Sequence, residues 1–347
     1  MRKLNIILPG LGTSGGIKVI YKYKQLLEKD GWDVEIYSSI FANNLHRYTS
    51  PFKNIAHQIY CTGKSFAETR KKKDIKWVLR ISNKSIRNAD ITMATMWATA
   101  YDVALLNPSK GKKFYFIQDF EIWDNKEWGL DSYKLPLKKI VISSWINNQL
   151  RDNLNIGPFP VVMNGINQSI YFDRHIRNTS KKIFLMLNHP LQKKGVKYGI
   201  RVFERIKEKY PDAHLIMFGM CDKSNLPEYV EYYQDPSKEQ LVELYNISNY
   251  FIFPSLEEGW GLTPIEAMAC GCIVFGTNTG FVQDLGAHRE NMMISKPGDI
   301  NEMVDNIEDV LSDYALAEKI KKGAVRTMYN LKWEKSAKKL CNLLMEM

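Results

Sequence analysis

The sequence predicts an α/β protein made of two doubly wound parallel sheets, one after the other. Three observations lead there. The chain has 347 residues, enough for two domains of about 150 to 180 residues each. Short apolar, β-branched runs alternate with segments of helical spacing, which implies strands laid parallel with helices over both faces. That alternation starts once at the N-terminus and again after a polar stretch ending near Lys182.

The first half opens with an apolar run over 3–9, then a glycine-rich loop from Gly10 to Gly16. Residues 17–29 carry helical spacing, Gly31 stops them, and 34–37 reads as the next strand, a βαβ opening. Further strands are expected at 91–97, 113–118, 139–143 and 160–163, with helices at 98–106 and 145–154. The second half repeats the pattern. Its strands are expected at 183–188, 213–218, 250–254 and 272–275, its helices at 196–210, 238–245 and 262–269, with a long helical tail after Asp299. The division is 1–166, 167–328, and a terminal segment 329–347.

Composition sets limits on function. Apolar residues make up 45% and charged ones 25%, ordinary for a soluble globular chain. The five cysteines (Cys61, Cys221, Cys270, Cys272 and Cys341) form no CxxC, and no histidine pair stands at ligand spacing. That argues against a disulfide framework or a zinc site and for reduced thiols. The N-terminal apolar run enters a glycine loop instead of a cleavage site, and no stretch reaches the ~20 apolar residues of a membrane span. A cytoplasmic protein is expected. Net charge is +10, and residues 1–170 hold 25 Lys+Arg against 14 Asp+Glu while the rest is nearly neutral. A basic half suggests a polyanionic partner, either nucleic acid or an anionic membrane surface.

The most informative stretch runs from Ser255 to Gly271, Ser-Leu-Glu-Glu-Gly-Trp-Gly-Leu-Thr-Pro-Ile-Glu-Ala-Met-Ala-Cys-Gly. Glu258 and Glu266 stand eight apart. Gly259 and Gly261 permit a tight turn after a strand. Pro264 suits a first helical turn, so a helix begins near Leu262. Its N-terminal amides and dipole would cradle an anion, and the two carboxylates could accept bonds from sugar hydroxyls.

This stretch resembles the signature of family 4 of the retaining glycosyltransferases, with Trp260 where that signature usually has Phe. Val162-Met-Asn-Gly-Ile-Asn167, Ser144-Trp145 and the Trp333 segment resemble further landmarks of that family. The resemblance implies the GT-B fold: two facing Rossmann-like domains with a C-terminal helix crossing back to the first. It implies a nucleotide-diphosphate sugar as donor, no cofactor and no metal. Glu266 would hold the donor ribose and Glu258 the transferred sugar, with Gly259, Trp260, Gly261, Leu262 and Thr263 around the phosphates. Lys194 would neutralise the leaving diphosphate. Its usual arginine partner is absent: Asn188 or His189 stands near that place, and Lys193 is a possible substitute. Gly15 and Gly16 would lie beside the donor phosphates.

Two readings stay open. Gly10-Leu-Gly12-Thr-Ser-Gly15 matches a dinucleotide-binding fingerprint, with Glu35 twenty residues beyond Gly15, as in an NAD(P)-dependent oxidoreductase. Against it, Glu35 falls inside its strand pattern. The missing arginine also admits a subunit that keeps the fold without turnover. In Tyr115-Phe-Ile-Gln-Asp-Phe-Glu121, Gln118, Asp119 and Glu121 are candidates to face a saccharide or lipid-linked acceptor, with Asp119 able to accept a proton. That string resembles those of rhamnosyltransferases of bacterial surface glycans, which implies an L-rhamnose donor. Residues 64–90 combine Arg70 to Lys73, Lys76, Arg80, Lys84 and Arg87 with Phe66, Trp77 and aliphatic residues. A basic helix there would bring the enzyme to an anionic inner membrane face. Nucleic acid is the weaker partner, because no binding motif accompanies the charge.

Overall fold

A computed structural model describes residues 1–9, 15–40, 74–122 and 125–347, with isolated positions 50, 52, 53, 55, 56, 59, 60 and 63. By contacts the chain divides into two units. One comprises Met1–Ile142, Ile146–Met163 and Ser336–Met347, the other Ser143–Trp145 and Asn164–Lys335.

The first unit holds β1 (Lys3–Leu8), α1 (Gly15–Lys29), β2 (Asp33–Ser39), β3 (Ile75–Val78), β4 (Ile91–Ala94), α2 (Trp97–Ala104), β5 (Lys112–Ile117), α3 (Lys126–Ser132) and β6 (Lys138–Val141). Its strands lie in the order β3-β2-β1-β4-β5-β6. All pair in parallel; Ile6 of β1 stands beside Ile36 of β2 and Met93 of β4. The central strands β1 and β4 are buried nearly throughout because both faces of the sheet are covered. α4 (Ser144–Leu154) leads out of this sheet.

The second unit repeats the plan. It holds β7 (Ile183–Leu187), α5 (Val196–Lys209), β8 (His214–Gly219), β9 (Glu231–Gln234), α6 (Lys238–Ile247), β10 (Tyr250–Phe253), α7 (Leu262–Ala269), β11 (Ile273–Thr277), α8 (Val282–Leu285) and β12 (Met293–Ser295). The order β12-β11-β10-β7-β8-β9 is the same winding as in the first sheet. Phe184, Met186, Phe203, Leu215, Ile252 and Phe275 fill the core between sheet and helices. α9 (Ile300–Ser312) and α10 (Tyr314–Asn330) follow, then α11 (Trp333–Glu346). From Ser336 onward α11 belongs to the first unit, where the Trp32 indole N–H donates to Cys341 Sγ at 3.3 Å. Two Rossmann-ordered sheets with this returning helix make a GT-B fold.

Three expectations change. The strand at 160–163 is reduced to a single bridge between Val141 and Val161. The strands β3, β9 and β12 and the helix α3 were not foreseen. The basic helix over 64–90 does not form where the chain is described: 75–78 is the edge strand β3. The period-2 pattern of Ile75, Trp77 and neighbours prevails over the helical one. Lys76 pairs with Glu35 at 2.6 Å, and Arg87 with Asp33 at 2.6 Å and Glu35 at 3.1 Å, so two of its cations brace the sheet. Residues 64–73 lie outside the described residues. No helix among the described residues is long and apolar enough to cross a membrane.

Candidate active site

In a doubly wound sheet the binding crevice opens beyond the carboxyl ends of the strands, where the strand order reverses. In the second unit that place lies between β7 and β10, neighbours with Ile252 beside Met186. Two loops leave it, one from β7 into α5 and one from β10 into α7.

The first loop ends in a tight turn over Gln192–Lys194, followed by Gly195 with φ +66°. A Cβ on Gly195 would lie 1.9 Å from the Pro254 carbonyl oxygen, so only glycine lets the two loops touch. The Lys193 carbonyl accepts the Leu256 N–H at 2.7 Å and the Glu257 N–H at 3.3 Å. With the backbones joined, Lys194 Nζ comes 2.6 Å from Glu258 Oε2, the side chains 18% and 13% exposed. The structure thus brings together the lysine and the first motif glutamate, 64 residues apart.

The second loop is pinned on both sides. The Ser143 hydroxyl donates to the Gly259 carbonyl at 2.7 Å, and the Phe281 N–H to the Trp260 carbonyl at 2.8 Å. The Trp260 ring, 3% exposed, packs at 6.3 Å on Phe281, so this residue serves the site through its backbone. Gly261, with φ +97°, precedes α7, and no side chain among the described residues caps that helix. Pro264 falls in the first turn, where a missing N–H costs little. Leu262 and Thr263 therefore begin the helix at the positive end of its dipole.

Glu266 lies one turn further on, half-buried, accepting the Tyr245 hydroxyl at 2.9 Å and also bonded to Tyr171. Burial, then the Glu266 charge, raises both phenols above their ordinary range, so both stay O–H donors. Asn188 is 9% exposed and its side chain is hydrogen-bonded to Tyr232. His189 Nδ1 accepts the Leu191 N–H at 3.1 Å. Its pKa is lowered below the usual histidine range, by burial first, then by Lys194 and Lys193, against an opposing pull from Glu258.

In the first unit Gly15 is exposed and Gly16 half-buried at the head of α1, while residues 10–14 of the glycine loop lie outside the described residues. The Gln118 amide packs on Gly16, whose Cβ would meet its Nε2 and Oε1 at 3.3 Å. Gln118 Oε1 is buried with no hydrogen-bond partner among the described residues. Asp119, half-buried just past β5, accepts the Phe120 N–H at 2.9 Å.

Glu121 is corrected. The acceptor-side expectation fails because this carboxylate is 5% exposed. Its Oε2 accepts the Trp97 N–H at 2.6 Å and the Tyr115 hydroxyl at 2.8 Å, so it sits at the positive end of α2 as an internal brace. Glu35 is likewise committed to Arg87, Lys76 and Tyr37 inside β2, not at the strand end where a ribose would be read.

Sequence reasoning missed Tyr171, Tyr245 and Ser143. They carry no chemistry of their own, and only their contacts with Glu266 and Gly259 give them away. A broad open concavity of about 800 Å³ between α5 and the start of α9 holds none of the motif residues. Its lining offsets Arg201, Arg205 and Lys296 with Glu204, Glu208 and Asp299.

Residues 167–327 match the family model described as glycosyl transferases group 1. Among curated proteins, the serotype-specific mannosyltransferase WbdA of Escherichia coli is 32% identical over 99 residues, 28% of this chain and 12% of WbdA. Across the first curated relatives the matched region spans 12% to 56% of their length. Among solved structures, sucrose-phosphate synthase from Thermosynechococcus elongatus has a TM-score of 0.75 at 18% identity, covering 100% of this chain and 99% of that one. Anabaena HepE in complex with UDP and glucose has a TM-score of 0.71 at 12% identity, covering 100% of both chains. These two likenesses speak for the fold.

Proposed function

We propose that this protein is a retaining glycosyltransferase that moves a sugar from a nucleotide-diphosphate donor to a saccharide or lipid-linked acceptor in surface polysaccharide synthesis. The observation that carries the proposal is the Lys194–Glu258 pair at the switch point of the second sheet, in front of the uncapped start of α7. A leaving diphosphate needs preorganised positive charge, and a partly buried lysine beside helix amides supplies it without reorganisation. Lys194 exchanges its bond to Glu258 for one to the phosphate, which releases the Glu258 carboxylate to the hydroxyls of the transferred sugar. The amides of Gly259 to Thr263 surround the phosphates, and Glu266, steadied by its two tyrosines, receives the ribose hydroxyls. We assign Gly15 and Gly16, at the head of α1, the role of a further phosphate contact. Asp119 and Gln118 orient the acceptor hydroxyl, with Asp119 taking its proton.

The group 1 match and the name of WbdA support the transfer of a sugar and its setting. The Gln118-Asp-Phe-Glu string supports L-rhamnose from a deoxythymidine diphosphate donor, while the relatives' names speak of mannose and of UDP with glucose. The test is transfer by the purified protein from dTDP-rhamnose, GDP-mannose and UDP-glucose, with and without EDTA. One donor is expected to be consumed at a rate that EDTA leaves unchanged, and Glu258→Ala abolishes the turnover. Binding of a donor with neither transfer nor hydrolysis would favour a non-catalytic subunit instead.

A further inference from the structure

We propose that His189 is the second diphosphate ligand of this site, and that it acts as a neutral Nε2–H donor, not as a cation. The inference rests on the transferase reading above and adds to it the residue that answers Lys194 across the phosphates.

The loop after β7 offers two side chains for this task, Asn188 and His189. Asn188 faces inward: its backbone N–H donates to the Phe218 carbonyl at 2.7 Å and its side chain bonds to Tyr232. His189 is half-buried on the same loop, and the charged groups facing it are Lys194 and Lys193 from its own loop and Glu258 from the loop after β10. Those are the groups that define the phosphate site. The backbone N–H of Leu191 donates to His189 Nδ1 at 3.1 Å, which fixes the lone pair there and leaves the proton on Nε2. A second proton on Nδ1 would point at that N–H and break the bond. Burial and the two lysines work in the same direction. The positive charge on this loop therefore comes from Lys194 and Lys193, and His189 adds a hydrogen bond without a charge. Part of the diphosphate charge is left to the amides at the head of α7.

The test titrates wild-type protein, His189→Ala, His189→Gln and His189→Arg with UDP-glucose, GDP-mannose and dTDP-rhamnose from pH 6 to 8. A sugar ester of the diphosphate has no phosphate group that titrates in that window. For the donor that the wild type binds, His189→Ala weakens binding about tenfold, the worth of one hydrogen bond to a charged group. Glutamine, whose amide N–H stands in for Nε2–H, recovers most of that loss. Arginine binds more tightly than wild type. The wild-type affinity is level across the pH range and parallel to that of His189→Gln. Affinity that climbs on acidification in the wild type but not in His189→Gln would overturn the neutral assignment. Unchanged binding in His189→Ala would remove His189 from the site while leaving the transferase reading intact. Failure of the wild type to bind any nucleotide sugar would instead overturn that reading.

Discussion

The two sheets share one strand order, yet their switch points are built differently. In the second unit the loops beyond β7 and β10 are joined backbone to backbone, with Gly195 against Pro254 and Lys193 bonded to Leu256. Their two charged side chains, Lys194 and Glu258, are presented to each other only partly buried. In the first unit Glu121, in the loop that follows β5, is buried and spent on the start of α2. One crevice keeps its charge available for a ligand; the other consumes a charge to hold its own helix. A strand-end carboxylate becomes a candidate for chemistry only once the backbone amides around it are counted.

That comparison can be broken by substitution, and the effects differ in kind. The largest loss follows Gly195→Ala. The left-handed backbone and the clash with the Pro254 carbonyl should together cost about 3 to 5 kcal/mol of stability. Chemical denaturation would read this, and nucleotide binding should fall with it. Next comes Lys194→Ala, with turnover lowered roughly 10²- to 10³-fold and the melting midpoint nearly kept. Glu121→Ala should do the reverse. It leaves the Trp97 N–H and the Tyr115 hydroxyl without their acceptor, lowering stability by about 2 kcal/mol while the nucleotide dissociation constant stays put. A Glu121→Ala protein of native stability that no longer transfers sugar would restore Glu121 to the acceptor side. The last effect is on turnover alone: Asp119→Asn should lower it about 10²-fold with donor affinity unchanged, measured by initial rates at saturating donor.

Much of this was legible in the sequence. The helix Leu262–Ala269 appears where the motif puts it, because glycine before it and proline in its first turn leave one place to begin. The central strands β1, β7 and β10 are apolar on both faces and stand out as short runs. The edge strands did not. Ile75–Val78 and Glu231–Gln234 are half-exposed, and their mixed polar pattern also fits helix or loop. At the site, Lys194 and Glu258 were singled out through the family resemblance, but their 2.6 Å approach depends on the backbone of Gly195 and Lys193. Glu121 was misread because a carboxylate after a strand looks the same in sequence whether it faces a ligand or a helix N-terminus. Its two tyrosine neighbours, Tyr115 and Tyr133, become informative only when stacked 5.8 Å apart beside it.

The most direct measurement is a thermal-shift series of the purified protein with UDP, GDP, dTDP and NADH, repeated on Lys194→Ala. A ligand at a hundred times its dissociation constant adds about 2.7 kcal/mol of apparent stability, enough to move the melting midpoint. The account predicts that one nucleoside diphosphate raises the midpoint of the wild type and that Lys194→Ala abolishes the rise. A rise with NADH alone, or one that survives the loss of Lys194, would contradict it.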